Sequence, residues 1–243
     1  MSPHFVVIRS LVHRRSVISW LALILICGLF LPIIASAHDV SRRDASFVQS
    51  NQGTAVAAFM YLGAKHMVTG YDHLAFLVGV IFFLYRLKDV VTYVSLFTLG
   101  HSVTLLAGVL GGIHANSYIV DAIIGFSVVY KAFDNMDGFK RFLGFEPNTK
   151  LAVLIFGLFH GFGLATKLQQ LDLSKNGLVT NIISFNVGVE IGQVLALTAV
   201  LIVLSYWRTR PSFLRDAFAT NTVLMTVGFV LTGYQIAGYY LGS

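Results

Sequence analysis

His66, Asp72, His73, His101, His160 and Glu190 sit inside or beside stretches of sequence that otherwise read as lipid-spanning. Imidazoles and carboxylates are costly in hydrocarbon, and a chain that keeps several of them there uses them together, facing one another or a polar cavity. Imidazole nitrogen combined with carboxylate oxygen suits borderline divalent ions such as nickel, cobalt and zinc. The single cysteine, Cys27, lies in the first apolar run, so no thiolate is available to draw the preference toward softer ions. The six residues are read as the ligands of one divalent-metal site.

Spacing gives each motif a distinct geometry. In His66-Met-Val-Thr-Gly-Tyr-Asp72-His73 the two histidines are seven residues apart and would share one face of a continuous helix, with Asp72 turned about 100° away. Gly70 offers a break that would let His66 fold back over the site. Phe97-Thr-Leu-Gly-His101-Ser102-Val-Thr104 and Phe156-Gly-Leu-Phe-His160-Gly-Phe-Gly163 each set one histidine among small residues, and Gly157 with Gly161 has the small-xxx-small spacing that lets helices approach closely. These two histidines read equally well as direct ligands or as groups that orient ligands. Asn186, Glu190 and Gln193 follow i, i+4, i+7 and form a polar stripe, while Gly188 and Gly192 supply a GxxxG packing face. Glu190 could ligate the ion, carry a coupled proton, or stay neutral in a hydrogen bond across the bundle. Ser102, Asp121, Asn186 and Gln193 are the side chains expected to orient the ligands. Lys131, Asp134, Asn135 and Asp137 read as solvated charge at a helix end.

The elements that must position these residues are apolar helices. The chain has 243 residues, 56% of them hydrophobic and 12% charged, and a mean hydropathy of +0.76. That composition, with repeated apolar runs of about 18 residues or more, describes an all-α polytopic bundle in a lipid bilayer. The net charge of +6 gathers in short loops, where it sets topology and gives no nucleic-acid signal. Arg9, Arg14 and Arg15, the apolar run 17–34 and Ala35-Ser36-Ala37 make residues 1–37 a signal peptide, or an anchor helix if uncleaved. Residues 38–243 form one transmembrane domain. Six spans follow, at 71–85, 90–111, 118–133, 151–168, 178–207 and 222–241, the first extended at its start by the weakly apolar stretch 54–68.

Loop charge orients them. Arg86 and Lys88, then Lys131, Lys140, Arg141 and Lys150, then Arg208, Arg210 and Arg215 mark the cytoplasmic loops, whereas 112–117 has no Lys or Arg and 169–177 has only Lys175, with Lys167 just before it. The mature N-terminus and Ser243 then lie in the periplasm. At 1.5 Å of rise per residue, His160 falls roughly 12 Å below the outer end of its span, and His101 and Glu190 roughly 15 to 18 Å below theirs. His66, Asp72 and His73 are expected at the outer mouth of the first span, and Asp121 near the outer end of the third. The site would therefore take its ion from the periplasm.

The stretch His66 to Phe76, with Phe97-Thr-Leu-Gly-His-Ser-Val-Thr-Leu, Phe156-Gly-Leu-Phe-His-Gly-Phe-Gly and Phe185-Asn-Val-Gly-Val-Glu-Ile-Gly-Gln, resembles the HupE/UreJ family of bacterial membrane proteins. The resemblance implies nickel or cobalt uptake across the inner membrane, with nickel first; zinc stays a further alternative on the ligand chemistry alone. It implies hydrogenase or urease maturation as the setting, and a histidine followed by an Asp-His pair as the hallmark, here His66, Asp72 and His73. Met67 departs from the proline usual at that position, and the Phe-Asn-Val-Gly-Val-Glu segment looks like a second branch of the family. The function expected is a carrier without a nucleotide-binding loop, with a homo-oligomer or metalloenzyme-maturation proteins as partners. Two alternatives remain at the level of sequence, an intramembrane zinc-dependent hydrolase and a metal-handling accessory subunit. No HExxH spacing supports the first.

Overall fold

Glycines decide which helices touch in this bundle. In the computed structural model, residues 42–171 and 174–242 are described; the signal or anchor segment 1–37 and His38 lie outside them. The helices are α1 (Arg42–Ser50), α2 (Val56–Thr69), α3 (Tyr71–Ile81), α4 (Leu87–Gly111), α5 (Ser117–Asn135), α6 (Thr149–Gln169), α7 (Leu178–Arg208) and α8 (Phe213–Leu241), with a π-helical turn at Phe139–Leu143 between α5 and α6. No strand occurs among the described residues. α4, α6, α7 and α8 are long and apolar enough to cross a membrane, and α3 is a shorter apolar helix. Large apolar side chains such as Leu99, Val103, Leu195, Ile202 and Val203 are exposed, as a lipid-facing surface requires. The chain is a multi-pass membrane protein.

The helix ends are marked locally. The Asn116 side chain accepts from the Ile119 amide at 3.2 Å and opens α5. Asn148 does the same for α6, from Lys150 and Leu151 at 3.1 and 3.2 Å. Gly112, at φ 59°, closes α4 in the left-handed conformation that glycine adopts without strain.

Three close pairings build the core. α2 packs on α7, where a Cβ added to Gly63, Gly188 or Gly192 would strike the backbone of Phe185, Met60 or Ala64. α4 packs on α6 through Gly100, Gly157 and Gly161, and α5 on α8 through Gly125 and Gly228. Met60 meets Gly188 and Ala64 meets Gly192, so α2 runs in the same direction as α7. Further along, the Arg208 guanidinium donates to the Ile81 and Phe82 carbonyls, each at 2.7 Å. α2 and α3 together therefore follow α7 from end to end, with the break at Gly70 part-way along. This corrects the depth expected for the first motif. His66 lies ten residues past Val56, roughly 15 Å of rise along α2, so His66, Asp72 and His73 belong to the middle of the path and not to its mouth.

Candidate metal centre

The break at Gly70 brings the first motif together. The Gly70 amide donates to the His66 carbonyl at 2.7 Å and α3 restarts at Tyr71, which puts His66 in the last turn of α2 and His73 in the first turn of α3. On an unbroken helix seven residues would separate these two rings by about 10 Å along the axis. Across the break their centroids are 5.2 Å apart. Gly70 is also the floor of this corner: a Cβ there would lie 2.9 Å from the His66 carbonyl oxygen and 3.3 Å from His73 Nδ1.

The other two histidines arrive from the α4 and α6 pair. A Cβ on Gly161 would run into the His101 carbonyl, so glycine at that position holds the two backbones close and sets His101 and His160 at one level. Thr104 Oγ1 reinforces the contact by donating to the Leu158 carbonyl at 2.6 Å. The His73 ring is 5.6 Å from that of His101 and 4.7 Å from that of His160. One ring nitrogen from each of His66, His73 and His101 lies within 4.8 Å of the other two. Aromatic rings wall the cluster: Phe97 and Phe76 stand 5.0 and 5.4 Å from His160, and Phe185 stands 5.9 Å from His66. His73, His101 and His160 are fully buried.

Hydrogen bonds fix what each ring can offer. His73 Nδ1 faces Asp72 Oδ1 at 3.1 Å, and the same oxygen accepts from the His73 amide at 2.9 Å. Imidazole Nδ1–H donated to a carboxylate leaves Nε2 as the basic nitrogen, the arrangement in which histidine binds metals. His160 Nδ1 faces the Phe156 carbonyl at 2.8 Å. A carbonyl only accepts, so that nitrogen carries the proton and Nε2 presents its lone pair. His160 Nε2 is buried without a hydrogen-bond partner among the described residues. Asn186 sits beside His101, yet neither His101 nitrogen meets hydrogen-bond geometry with it or with any other described group.

The remaining expected residues separate. Ser102 donates to Asn186 Oδ1 at 3.3 Å and Thr98 to Gln193 Oε1 at 3.2 Å, so Asn186 and Gln193 join α7 to α4 next to the cluster. Asp121 pairs with Lys167 at 3.0 Å, both side chains largely buried. Lys167 was missed by sequence reasoning, which counted it only as charge near a loop; Asp121 near a helix end, in need of a cation, was the signal available. Glu190 is exposed, next to buried Val189, and the structure does not bring it to the histidines. The expectation of Glu190 as a ligand is corrected by helix geometry. Gly188 and Gly192 take one face of α7 against α2, and Asn186 and Gln193 turn toward α4. At 100° per residue Glu190 lies about 40–60° beyond Asn186 and Gln193, over the edge of the packed face.

A protein-family model described as HupE / UreJ protein matches residues 42–243, most of the chain and all four motifs. No curated protein and no solved structure matches it.

Proposed function

The chain belongs to the HupE/UreJ family, membrane proteins connected with nickel and cobalt transport, and from that premise we propose that it carries a divalent ion, nickel before cobalt or zinc, from periplasm to cytoplasm. The observation that supports this most is the convergence of His66, His73 and His101, from three successive helices, with one nitrogen of each within 4.8 Å of the others. Metal–imidazole bonds of about 2.1 Å place ligand nitrogens about 3 to 3.5 Å apart, so small side-chain adjustments close these three on an ion. Three imidazoles leave coordination positions for water, as a cargo that must depart requires, whereas structural sites close with four protein ligands. The His160 ring, with its centroid 4.7 Å from that of His73, would receive or hand on the ion in this reading. Asp72 acts through His73, raising the basicity of its Nε2 and balancing charge as the dication arrives.

In this reading α2 and α3 form one broken span, and α4 to α8 supply five more, six in all. The loops rich in Lys and Arg face the cytoplasm of a bacterial cell, and residues 38–243 make a single domain in its inner membrane, after removal of a signal ending at Ala37. The ion then enters from the ends of α5, α6 and α7 near Ser117, Gln169 and Leu178.

Two measurements on one variant test the reading. Wild-type protein purified in detergent is expected to bind nickel in a calorimetric titration, and cells expressing it to accumulate nickel. His73→Ala should abolish both while the protein still inserts in the membrane. Binding and accumulation at wild-type levels in that variant would overturn the assignment, and a higher affinity for cobalt or zinc would change the cargo while leaving the site.

A further inference from the structure

Lys167 and Asp121 are joined at 3.0 Å with 16% and 7% of their side chains exposed. Lys167 is in the last turn of α6 and Asp121 at the start of the second turn of α5. Gly163 lets α6 approach α5 closely beside the carboxylate, since a Cβ there would press on Ile124 Cδ1 at 2.8 Å and touch Asp121 Oδ1 at 3.4 Å. Gly163 is three residues past His160 on α6, roughly 4.5 Å of rise toward the end that loop charge places outside. The pair thus stands on the outer side of the imidazoles. It is near enough to act on them: Lys167 interacts electrostatically with His66 and His73, and Asp121 with His73.

A fixed ammonium beside a cation site opposes the cation, and a carboxylate there favours it. Paired, the two nearly cancel, and separation of the pair changes the balance. We propose that Lys167 is an exchangeable counter-cation on the outer approach to the histidines: an arriving dication takes Asp121 from Lys167, and Lys167 returns to Asp121 once the ion has moved inward. The returned ammonium then opposes passage back. This inference rests on the ion-carrier reading and gives that site a direction.

A purely structural ion pair between α5 and α6 would lose stability and ion binding together when either partner is changed. Charge exchange requires the two changes to act in opposite senses, and this is the readout. Nickel is titrated calorimetrically into the full chain as wild type, Asp121→Asn, Lys167→Met and the double variant, alongside nickel accumulation in cells. Asp121→Asn is expected to weaken nickel binding about tenfold or more. Lys167→Met should tighten it about tenfold, and slow accumulation because the ion is held at Asp121. The double variant should return to within about threefold of wild type. Lys167→Arg, which keeps the charge, should not show the tightening, and the melting temperature of metal-free Lys167→Met in detergent checks that this variant is folded. Affinity shifts of the same sign in both single variants, or no shift in either, would overturn the exchange while leaving the metal site standing. Absence of nickel binding by the wild type would remove both.

Discussion

The imidazole cluster and the Arg208 end of the bundle, the inner end in the topology proposed above, both bury polar groups among apolar helices, but they treat those groups differently. At the inner end Lys131 pairs with Asp134 at 2.6 Å. Asn135 donates to the Gly79 carbonyl at 2.8 Å and to Asn221 Oδ1 at 2.9 Å, and Asn221 in turn donates to the Ala217 carbonyl at 2.9 Å. Arg208 covers the Ile81 and Phe82 carbonyls at the end of α3, and its buried Nε has no hydrogen-bond partner among the described residues. In the cluster, both nitrogens of His101 and Nε2 of His160 have no hydrogen-bond partner among the described residues. A buried polar atom left unbonded costs about 1–3 kcal/mol. The inner groups hold helices to one another; the histidine nitrogens are left bearing that cost, which is the feature a bound metal would relieve in the function proposed above.

The largest effect that would break this contrast comes from removing a ligand. His73→Ala should lower nickel affinity by more than the 10–100-fold, roughly, that loss of an outer partner costs. It should also cost about 1–3 kcal/mol of stability without metal, because the buried Asp72 carboxylate loses the ring N–H that faces it. A strongly destabilised apo variant with intact affinity would put His73 in the same class as the inner asparagines. Asp72→Asn comes next. It keeps the shape of the Asp72–His73 contact at 3.1 Å and removes its charge, so affinity should fall by about 10–100-fold with accumulation reduced in step. Unchanged affinity in a folded protein would mean that Asp72 serves only to restart α3.

Asn135→Ala sharpens the contrast from the other side. It removes the donor to Gly79 and Asn221, and should cost about 1–3 kcal/mol of stability, read as a lower melting temperature in detergent. Nickel affinity per folded molecule should not change. A loss of affinity without loss of stability would extend the ion path to the inner end and dissolve the distinction between the two regions.

Much of this arrangement is legible in sequence, and the exceptions have physical causes. The histidines at 66, 73, 101 and 160 are visible because imidazole is rare in apolar runs, and Gly157 and Gly161 are visible because small residues four apart allow close packing. The depth of His66 and His73 is not visible. The stretch before Gly70 is only weakly apolar, and nothing local shows that it lies alongside α7, a contact that joins Met60 to Gly188 across more than a hundred residues. Lys167 was hidden for a related reason. A lysine near a helix end has a topological explanation ready, and its partner Asp121 comes from another helix.

Glu190 shows the limit of periodicity and gives the smallest effect. Asn186, Glu190 and Gln193 share a stripe at i, i+4, i+7, but a stripe is wide, and the packed face of α7 is cut between its members. Asn186 is buried at 9% and Gln193 at 0% exposure, while Glu190 is exposed beside Val187 and Ile191. A residue on that side cannot contribute a ligand to nitrogens enclosed by Phe76, Phe97 and Phe185. Glu190→Gln should therefore leave nickel affinity within about twofold of wild type and change stability by less than about 0.5 kcal/mol, as surface changes do. A loss of affinity approaching that of Asp72→Asn would mean that α7 rotates when the ion binds. In that case the face that carries Glu190 would belong to the metal centre after all.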